Sequence, residues 1–482
     1  MSQLHQPKHA KLTSTYWYRQ PDFNTSNKPS FNNILSLLEP FAMNYLVRFF
    51  TSLVQKYLPD PLIFAIILTI LIFVVSASIT PHQPLDLIAM WGSGFWNLLG
   101  FTMQMVLVVV TGHALASTNL VKRILNSLAS IPTTPVQGVM LVTLVGSISC
   151  IINWGFGLII GAMFAREVAR KIPNSDYSLL IACAYIAFLT WHGGFSGSIP
   201  LLAATPGNPL EKLTGLVPIS QTLFTPMNIF ITLALVIGLP FLTASMLPPI
   251  NLRKQIATDL LQDSQISLQK TLTPDSTFAE KLEESKLLGL MISLAGFTYL
   301  GIYFIKNGFK IDINTVNFFF MALGILLHKT PMAYARAITQ AAKSTAGIIV
   351  QFPFYAGIQA LMEHSGLGGI ITHWFIAIAN KETFPLLAFL SSGIINFAIP
   401  SGGGHWVVQG PFIMSAAQDL GVNHGKAVMA IAYGEAWMNM AQPFWALPAL
   451  AIAGLGARDI MGYCLISLLF SAVIFIIGLQ FF

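Results

Sequence analysis

Long apolar stretches fill this chain from residue 62 to its end, and the glycine-rich points that interrupt them recur. Ile151-Ile152-Asn153-Trp154 returns as Ile394-Ile395-Asn396-Phe397, and a proline follows each asparagine at the same interval, as Pro200 and Pro443. Thr111-Gly112-His113-Ala114-Leu115 has a counterpart near the same offset in Ala356-Gly357-Ile358-Gln359-Ala360-Leu361. Three landmarks in register predict two copies of one membrane unit. Interrupted apolar segments at matching places in two halves are the pattern of a carrier whose binding site lies where the repeats meet.

A spanning helix needs about 20 apolar residues. Spans are predicted at 62–79, 95–116, 177–204, 221–247, 287–305, 313–328, 345–362, 426–448 and 460–481. Two further stretches, 136–164 and 383–411, are predicted as re-entrant hairpins, turning at Asn153-Trp154-Gly155-Phe156-Gly157 and at Pro400-Ser401-Gly402-Gly403-Gly404. Ahead of them, residues 1–42 read as a polar cytoplasmic extension. Residues 43–61 read as an amphipathic interfacial helix, with Val47, Phe50, Val54 and Tyr57 interleaved with Arg48, Gln55 and Lys56 at helical spacing. The organisation predicted is a first repeat over 62–247, a cytoplasmic linker over 248–286, a linking helix over 287–305 and a second, inverted repeat over 306–482. The fold class is therefore an all-α polytopic membrane protein of two inverted repeats with re-entrant hairpins and discontinuous transmembrane helices.

Composition agrees with a life in lipid. The 482 residues are 54% hydrophobic and only 9% charged, with a mean hydropathy of +0.68, whereas ordinary soluble domains carry about 25% charged residues. The net charge of +6 comes without a basic cluster that would suit nucleic acid. With the N-terminus inside, only Lys212, Lys306, Lys310, Lys381 and Lys426 of the 25 Lys and Arg fall outside, as the positive-inside rule requires. Cys150, Cys183 and Cys464 sit in apolar segments without metal spacing and read as small buried apolar residues. The linker is too short for a catalytic domain.

Helices broken inside a membrane expose backbone groups, which is tolerated where they line a cavity or meet protein. The N-terminal ends of such half-helices favour an anion and their carbonyl ends a cation. The breaks gather the candidate binding residues: Asn153, Gly155 and Gly157; His192, Gly193, Gly194, Ser196, Ser198 and Thr205; Asn396, Ser401, Gly402, Gly403 and His405; and Glu435, Asn439 and Gln442. Na+ at the Asn153 and Asn396 loops and H+ both stay open as the coupling ion, and no other cofactor is implied. Glu435 stands near the middle of a span, where a carboxylate is costly; its roles are proton uptake, help in holding Na+, or tying down the unwound backbone. Its repeat mate is His192. His192 and His405 are each a proton donor to a carboxylate or a packed hydrogen-bonding residue. No Lys or Arg falls at predicted mid-membrane depth, which suits a small monoanion better than a dicarboxylate.

The runs Leu58-Pro59-Asp60-Pro61-Leu62-Ile63-Phe64-Ala65, Asn153 to Gly157, Ala204-Thr205-Pro206-Gly207-Asn208-Pro209, Pro400 to Trp406 and Gly434 to Pro443 resemble the bacterial short-chain fatty acid transporter family, of the AtoE type. The resemblance covers about Met43 to Phe482. It implies uptake of acids such as acetoacetate or butyrate across the bacterial inner membrane, within a superfamily of inverted repeats and hairpins that often works as a homodimer by an elevator movement. Residues 1–42 extend beyond the family's usual start, so Met43 is an alternative initiation site. An integral-membrane enzyme is disfavoured, since no nucleophile, metal or cofactor motif appears; a channel and a dicarboxylate carrier remain as alternatives.

The charge asymmetry makes a topological prediction. In intact cells, cysteines placed at Lys310 and Lys381 should react with an impermeant external thiol reagent, whereas cysteines at Lys122 and Arg166 should not. Labelling of both Lys122 and Arg166 positions from outside would overturn the threading.

Overall fold

In the computed structural model, which describes residues 31–206, 208, 210–255, 276–308, 313–343 and 345–482, every regular element is a helix. Met43–Phe482 is one unit, separate from residues up to Ala42. Residues 1–30 of the predicted extension lie outside the described residues, and the first helix, α1, already starts at Phe31 and runs to Tyr57. The first half then comprises α2 (Pro61–Ile79), α3 (Pro84–Gly94), α4 (Leu99–Ala116), α5 (Asn119–Leu128), α6 (Pro135–Ile152), α7 (Trp154–Lys171), α8 (Tyr177–Ile186, prolonged by a 3-10 turn at Ala187–Thr190), α9 (Ser198–Ala203), α10 (Glu211–Thr214) and α11 (Pro226–Ser245). After the linker come α12 (Phe278–Glu283) and α13 (Lys286–Asn307). The second half comprises α14 (Ile313–His328), α15 (Pro331–Ala342), α16 (Ala346–His364), α17 (Leu367–Ile376), α18 (Phe384–Asn396), α19 (Gly402–Asp419), α20 (His424–Met438, prolonged by a 3-10 turn at Asn439–Ala441), α21 (Leu447–Ala453) and α22 (Ala457–Phe481). The succession α2 to α9 and α11 is thus matched in order by α14 to α21 and α22.

Local chemistry explains where these helices start. Asp60, Thr134, Thr225 and Thr330 each precede a proline and accept an amide from the first turn that follows. Proline at the first helical position lacks only an N–H that would go unpaired anyway, and the capping oxygen satisfies another orphan donor. The apolar faces then sort the helices by depth. The outer helices α2 and α13 leave Ile63, Ile67, Ile70, Val74, Leu287 and Met291 exposed, as lipid-facing helices do. At the centre, α8 is buried over its whole length and α20 from Ala427 to Ala436, so these two helices form the axis of the molecule.

Several predicted spans differ from the helices found. Among the described residues, five helical stretches are long and apolar enough to cross a membrane, Pro61–Ile79, Pro135–Ile152, Pro226–Ser245, Phe278–Asn307 (α12 and α13 together) and Ala457–Phe481, and counting each of two bent pairs as one span gives up to seven. The predicted spans 177–204 and 426–448 are interrupted, as the breaks predicted at His192 and Glu435 require; each unwinds after a 3-10 turn. The predicted span 95–116 begins only at Leu99, and α4 bends by 84° into α5. The predicted hairpin 136–164 is a pair of 18-residue helices, α6 and α7, each about 27 Å long at 1.5 Å per residue, and α6 alone qualifies as a crossing helix. Apolar periodicity cannot separate a deep hairpin arm from a span, because both are apolar all round.

At one end of the axis helices, the start of the linker is latched in place. Asp176 caps α8 through Leu179 N, at 2.7 Å, and also accepts Lys254 N, while Lys254 Nζ pairs with Asp459 of α22 at 2.9 Å. Burial pushes the Asp176 carboxyl up from its usual range, partly offset by the amides it accepts.

The two arms α6 and α7 pack so closely that a Cβ on Gly157 would stand 2.6 Å from the backbone nitrogen of Cys150. Gly157→Ala should therefore destabilise the purified protein by about 1–3 kcal/mol through overpacking, whereas Gly301→Ala, which faces open space in α13, should be neutral or slightly stabilising. Thermal unfolding in detergent reads both, and an unchanged midpoint for Gly157→Ala would contradict this packing.

Candidate functional site

The first tip closes on itself. Asn153 has an extended backbone (φ −156°, ψ 126°) that ends α6 and starts α7 in one residue. Its Oδ1 accepts the Phe156 amide at 3.0 Å, and Ser196 Oγ accepts the Trp154 amide at 2.8 Å. The carbonyl of Ile151 accepts the Phe195 amide, at 2.7 Å. The break after α8 is thereby sewn onto the tip, and the positive end of α7 is largely spent on its own chain.

The second tip is built differently. Asn396 does not cap a helix; it lies at the end of α18, where its Nδ2 donates to Glu435 O at 2.5 Å and Asn439 Oδ1 at 2.9 Å. Gln442 Nε2 donates to Asn396 O at 3.0 Å and also to Asn396 Oδ1. Tyr185 of α8 donates to Asn439 O at 2.7 Å. These bonds satisfy the unwound backbone after α20. By contrast, Ser401 gives α19 no side-chain cap. The amides of Gly402, Gly403 and Gly404 have no hydrogen-bond partner among the described residues, and a Cβ on Gly403 would meet nothing within 4 Å. An uncapped helix N-terminus with glycines at its rim presents N–H groups and a positive dipole end to an anion.

Beside this open end lies a buried histidine–carboxylate contact between the two central helices. His192 Nε2 and Glu435 Oε2 stand 2.5 Å apart, both side chains at 0% exposure, and they are separated by 243 residues, the interval between Asn153 and Asn396. Trp191 stacks on the imidazole with ring centroids 4.1 Å apart. Glu435 Oε2 also lies 3.3 Å from where a Cβ on Gly402 would stand, with Ser198 Cβ 2.8 Å away. Glu435 Oε1, His192 Nδ1, Asn439 Nδ2 and Gln442 Oε1 are buried without a protein partner. The two tips approach through a single indole: Trp445 Nε1 donates to Pro400 O at 2.8 Å, and its ring centroid is 5.0 Å from that of Trp154.

This arrangement was compared with known proteins. Residues 42–482 match the family model described as short chain fatty acid transporter. The chain belongs to the short-chain fatty acid transporter family. A relative from Escherichia coli K12 is 64% identical over 435 residues, covering 90% of this chain and 99% of its own. Another from Haemophilus influenzae Rd is 62% identical over 441 residues, covering 90% and 98%. Both are provisionally named short-chain fatty acid transporter. A solved structure, the YdaH transporter of Alcanivorax borkumensis, aligns over 88% of this chain and 97% of its own at 17% identity and a TM-score of 0.43, a likeness too distant to carry any argument.

In this family member, most of the sequence-predicted residues fall into three groups. His192, Ser198, Asn396, Gly402, Glu435, Asn439 and Gln442 converge around the pair. Asn153, Gly155, Gly157, Gly194 and Ser196 build the first tip, where Gly194 backs onto Ile151. Gly193 and Thr205 lie apart: Gly193 O accepts Asn228 Nδ2, and Thr205 returns its hydroxyl to Leu201 O. His405 does not reach Glu435; its Nε2 meets Gln409 Oε1 at 2.7 Å and Ser392 Oγ at 3.0 Å, joining α19 to α18. Sequence reasoning missed Ser391, Ser392 and Gln409, which complete that network, and Gln359 of α16, whose amide packs against Gly404. Gln409 was legible as the residue one helical turn after His405; Gln359 was quoted only as a repeat landmark.

Removing one member of a buried pair strands the other charge, at a cost of about 3–5 kcal/mol, while replacing both is far milder. His192→Leu should lower the stability of the purified transporter by that amount, and His192→Leu with Glu435→Leu should recover part of it. A double-mutant cycle by thermal unfolding in detergent measures the coupling; strictly additive single changes would show that the pair contributes nothing.

Proposed function

We propose that this family member is a secondary carrier taking up short-chain monocarboxylates, acetoacetate- or butyrate-like, across the bacterial inner membrane by alternating access, with a cytoplasmic N-terminus. The observation that carries this reading is the uncapped start of α19, with three adjacent glycine amides that have no hydrogen-bond partner among the described residues, open space at Gly403, and Ser198 and Gln359 against Gly402 and Gly404. A carboxylate at this end receives backbone N–H bonds, which are strong when the acceptor is ionised, and its short alkyl chain meets the apolar walls of the breaks. One open helix end, with α7 occupied by its own cap, supports a single-carboxylate substrate over a dicarboxylate. The halves are read as inverted repeats related by a two-fold, because positions 192 and 435, equivalent in the repeat register, touch each other.

Short-chain acids cross bilayers unaided in their neutral form, so exchange is a safer measure than net uptake. Proteoliposomes preloaded with unlabelled acetoacetate should show a transient overshoot of labelled acetoacetate that protein-free vesicles lack. Gly403→Val, whose side chain enters open space and fills the approach to the α19 amides, should reduce that overshoot at least about tenfold, on the scale of losing a well-placed anion contact, without lowering the unfolding temperature. No overshoot with any short monocarboxylate, or undiminished exchange in Gly403→Val, would refute this site; equal competition by a C4 dicarboxylate would favour the dicarboxylate reading.

A further inference from the structure

We propose that the substrate carboxylate and the ionised Glu435 side chain compete for the one open helix end of α19, so that each monocarboxylate bound brings one proton into the His192–Glu435 pair. The proposal rests on the placement of substrate at α19 given above and adds the identity of the coupling ion.

Glu435 Oε2 sits against Gly402, the first residue of α19. In the empty site the carboxylate is therefore the anion nearest the helix end, with its Oε1 unpartnered and no hydrogen bond from the Gly402–Gly404 amides. A helix end carries roughly half a unit of positive charge, enough for one anion in a water-poor site but not for two in contact. When a substrate carboxylate arrives at Gly402–Gly404, the arrangement keeps its charge only if Glu435 is neutralised. The atoms for that are present. With one proton between Nε2 and Oε2 the pair is an imidazole donating to a carboxylate, and the site bears one negative charge. A second proton has two buried places without a protein partner, His192 Nδ1 and Glu435 Oε1. The pair is then neutral overall, and the substrate supplies the negative charge in place of Glu435. Net site charge is the same before and after loading, so the cycle carries acid anion and proton together. Trp191, stacked on His192, favours an imidazolium in the loaded form.

The surroundings favour H+ over Na+. Around the pair, α18 offers Ser392 and Asn396, α9 offers Ser198, α11 offers Asn228 and Thr232 beside Gly193, α19 offers His405, which is bound to Gln409 and Ser392, and α22 brings the apolar Phe475 against Tyr433 of α20. Among the described residues, the only ion pair that Glu435 makes is with His192. A hard cation needs several free oxygens; the carbonyls of Asn396, Glu435 and Asn439 already accept Gln442, Asn396 and Tyr185, which leaves Glu435 Oε1 and Gln442 Oε1 as the two unpartnered oxygens of this cluster, fewer than such a shell takes. Because binding and protonation are linked, each must strengthen the other by the same factor.

The test is calorimetric titration of acetoacetate into the purified wild-type protein in sodium-free potassium buffers of differing ionisation enthalpy. The expected result is uptake of about one proton per acid bound, with affinity falling up to tenfold per pH unit as the pair loses its second proton, the limit for a one-proton linkage. Glu435→Gln should bind without proton uptake and with no pH dependence. Binding in the wild type with no proton exchanged, or binding that requires added Na+, overturns the proton assignment while leaving substrate at α19 intact. Absence of binding together with absence of exchange in vesicles overturns the substrate placement instead. The wild-type proton count stands by itself should Glu435→Gln fail to fold.

Discussion

A backbone amide or carbonyl in hydrocarbon has to find a partner, and this molecule unwinds its central helices where water is scarce. The structure follows from how those debts are settled. Ser196 and Asn153 serve the first tip, and Asn396, Gln442, Tyr185 and Trp445 serve the second and the segment after α20. The remainder is small: the first three amides of α19 and a few side-chain atoms beside them. The ligand site proposed above is the part of this backbone that the fold leaves unpaired, where an anion or water can complete it.

Two halves built on one register have divergent tips. Asn153 and Asn396 occupy equivalent positions, yet the first ends a helix and caps the next, while the second is held sideways against α20. The difference lies in chain length at the turn. α7 begins immediately after Asn153, whereas Phe397–Ser401 intervene before α19, so the second asparagine is too far back to cap. The turn and short loop between α18 and α19 thus separate the asparagine from the next helix and leave that helix start open.

Much of this was legible in the chain. Caps such as Asp60-Pro61 and Thr225-Pro226 mark helix starts, and the register of Asn153 and Asn396 already pairs His192 with Glu435 before any coordinates. The limits have physical causes. Ser391 and Ser392 look like ordinary small residues of a membrane helix, because their role depends on His405 and Gln409 facing them from α19. Gln359 is distant in sequence from every break, and only packing of α16 brings it to Gly404. The breaks inside 177–204 and 426–448 were legible from their glycines, whereas the late start of the helix predicted over 95–116, at Leu99, leaves no trace in hydropathy.

Under a two-fold relation between the halves, residues on the axis of two identical copies would face themselves, His against His or Glu against Glu. Two buried carboxylates in contact repel, and two imidazoles cannot both be charged without a counter-ion. The mixed pair seen here is closed to any symmetric assembly of identical units. On the inverted-repeat reading proposed above, it becomes available only once the two copies differ, which a single chain allows and a homodimer of half-length subunits does not. On that reading the chemistry of the His192–Glu435 contact is younger than the symmetry it sits on.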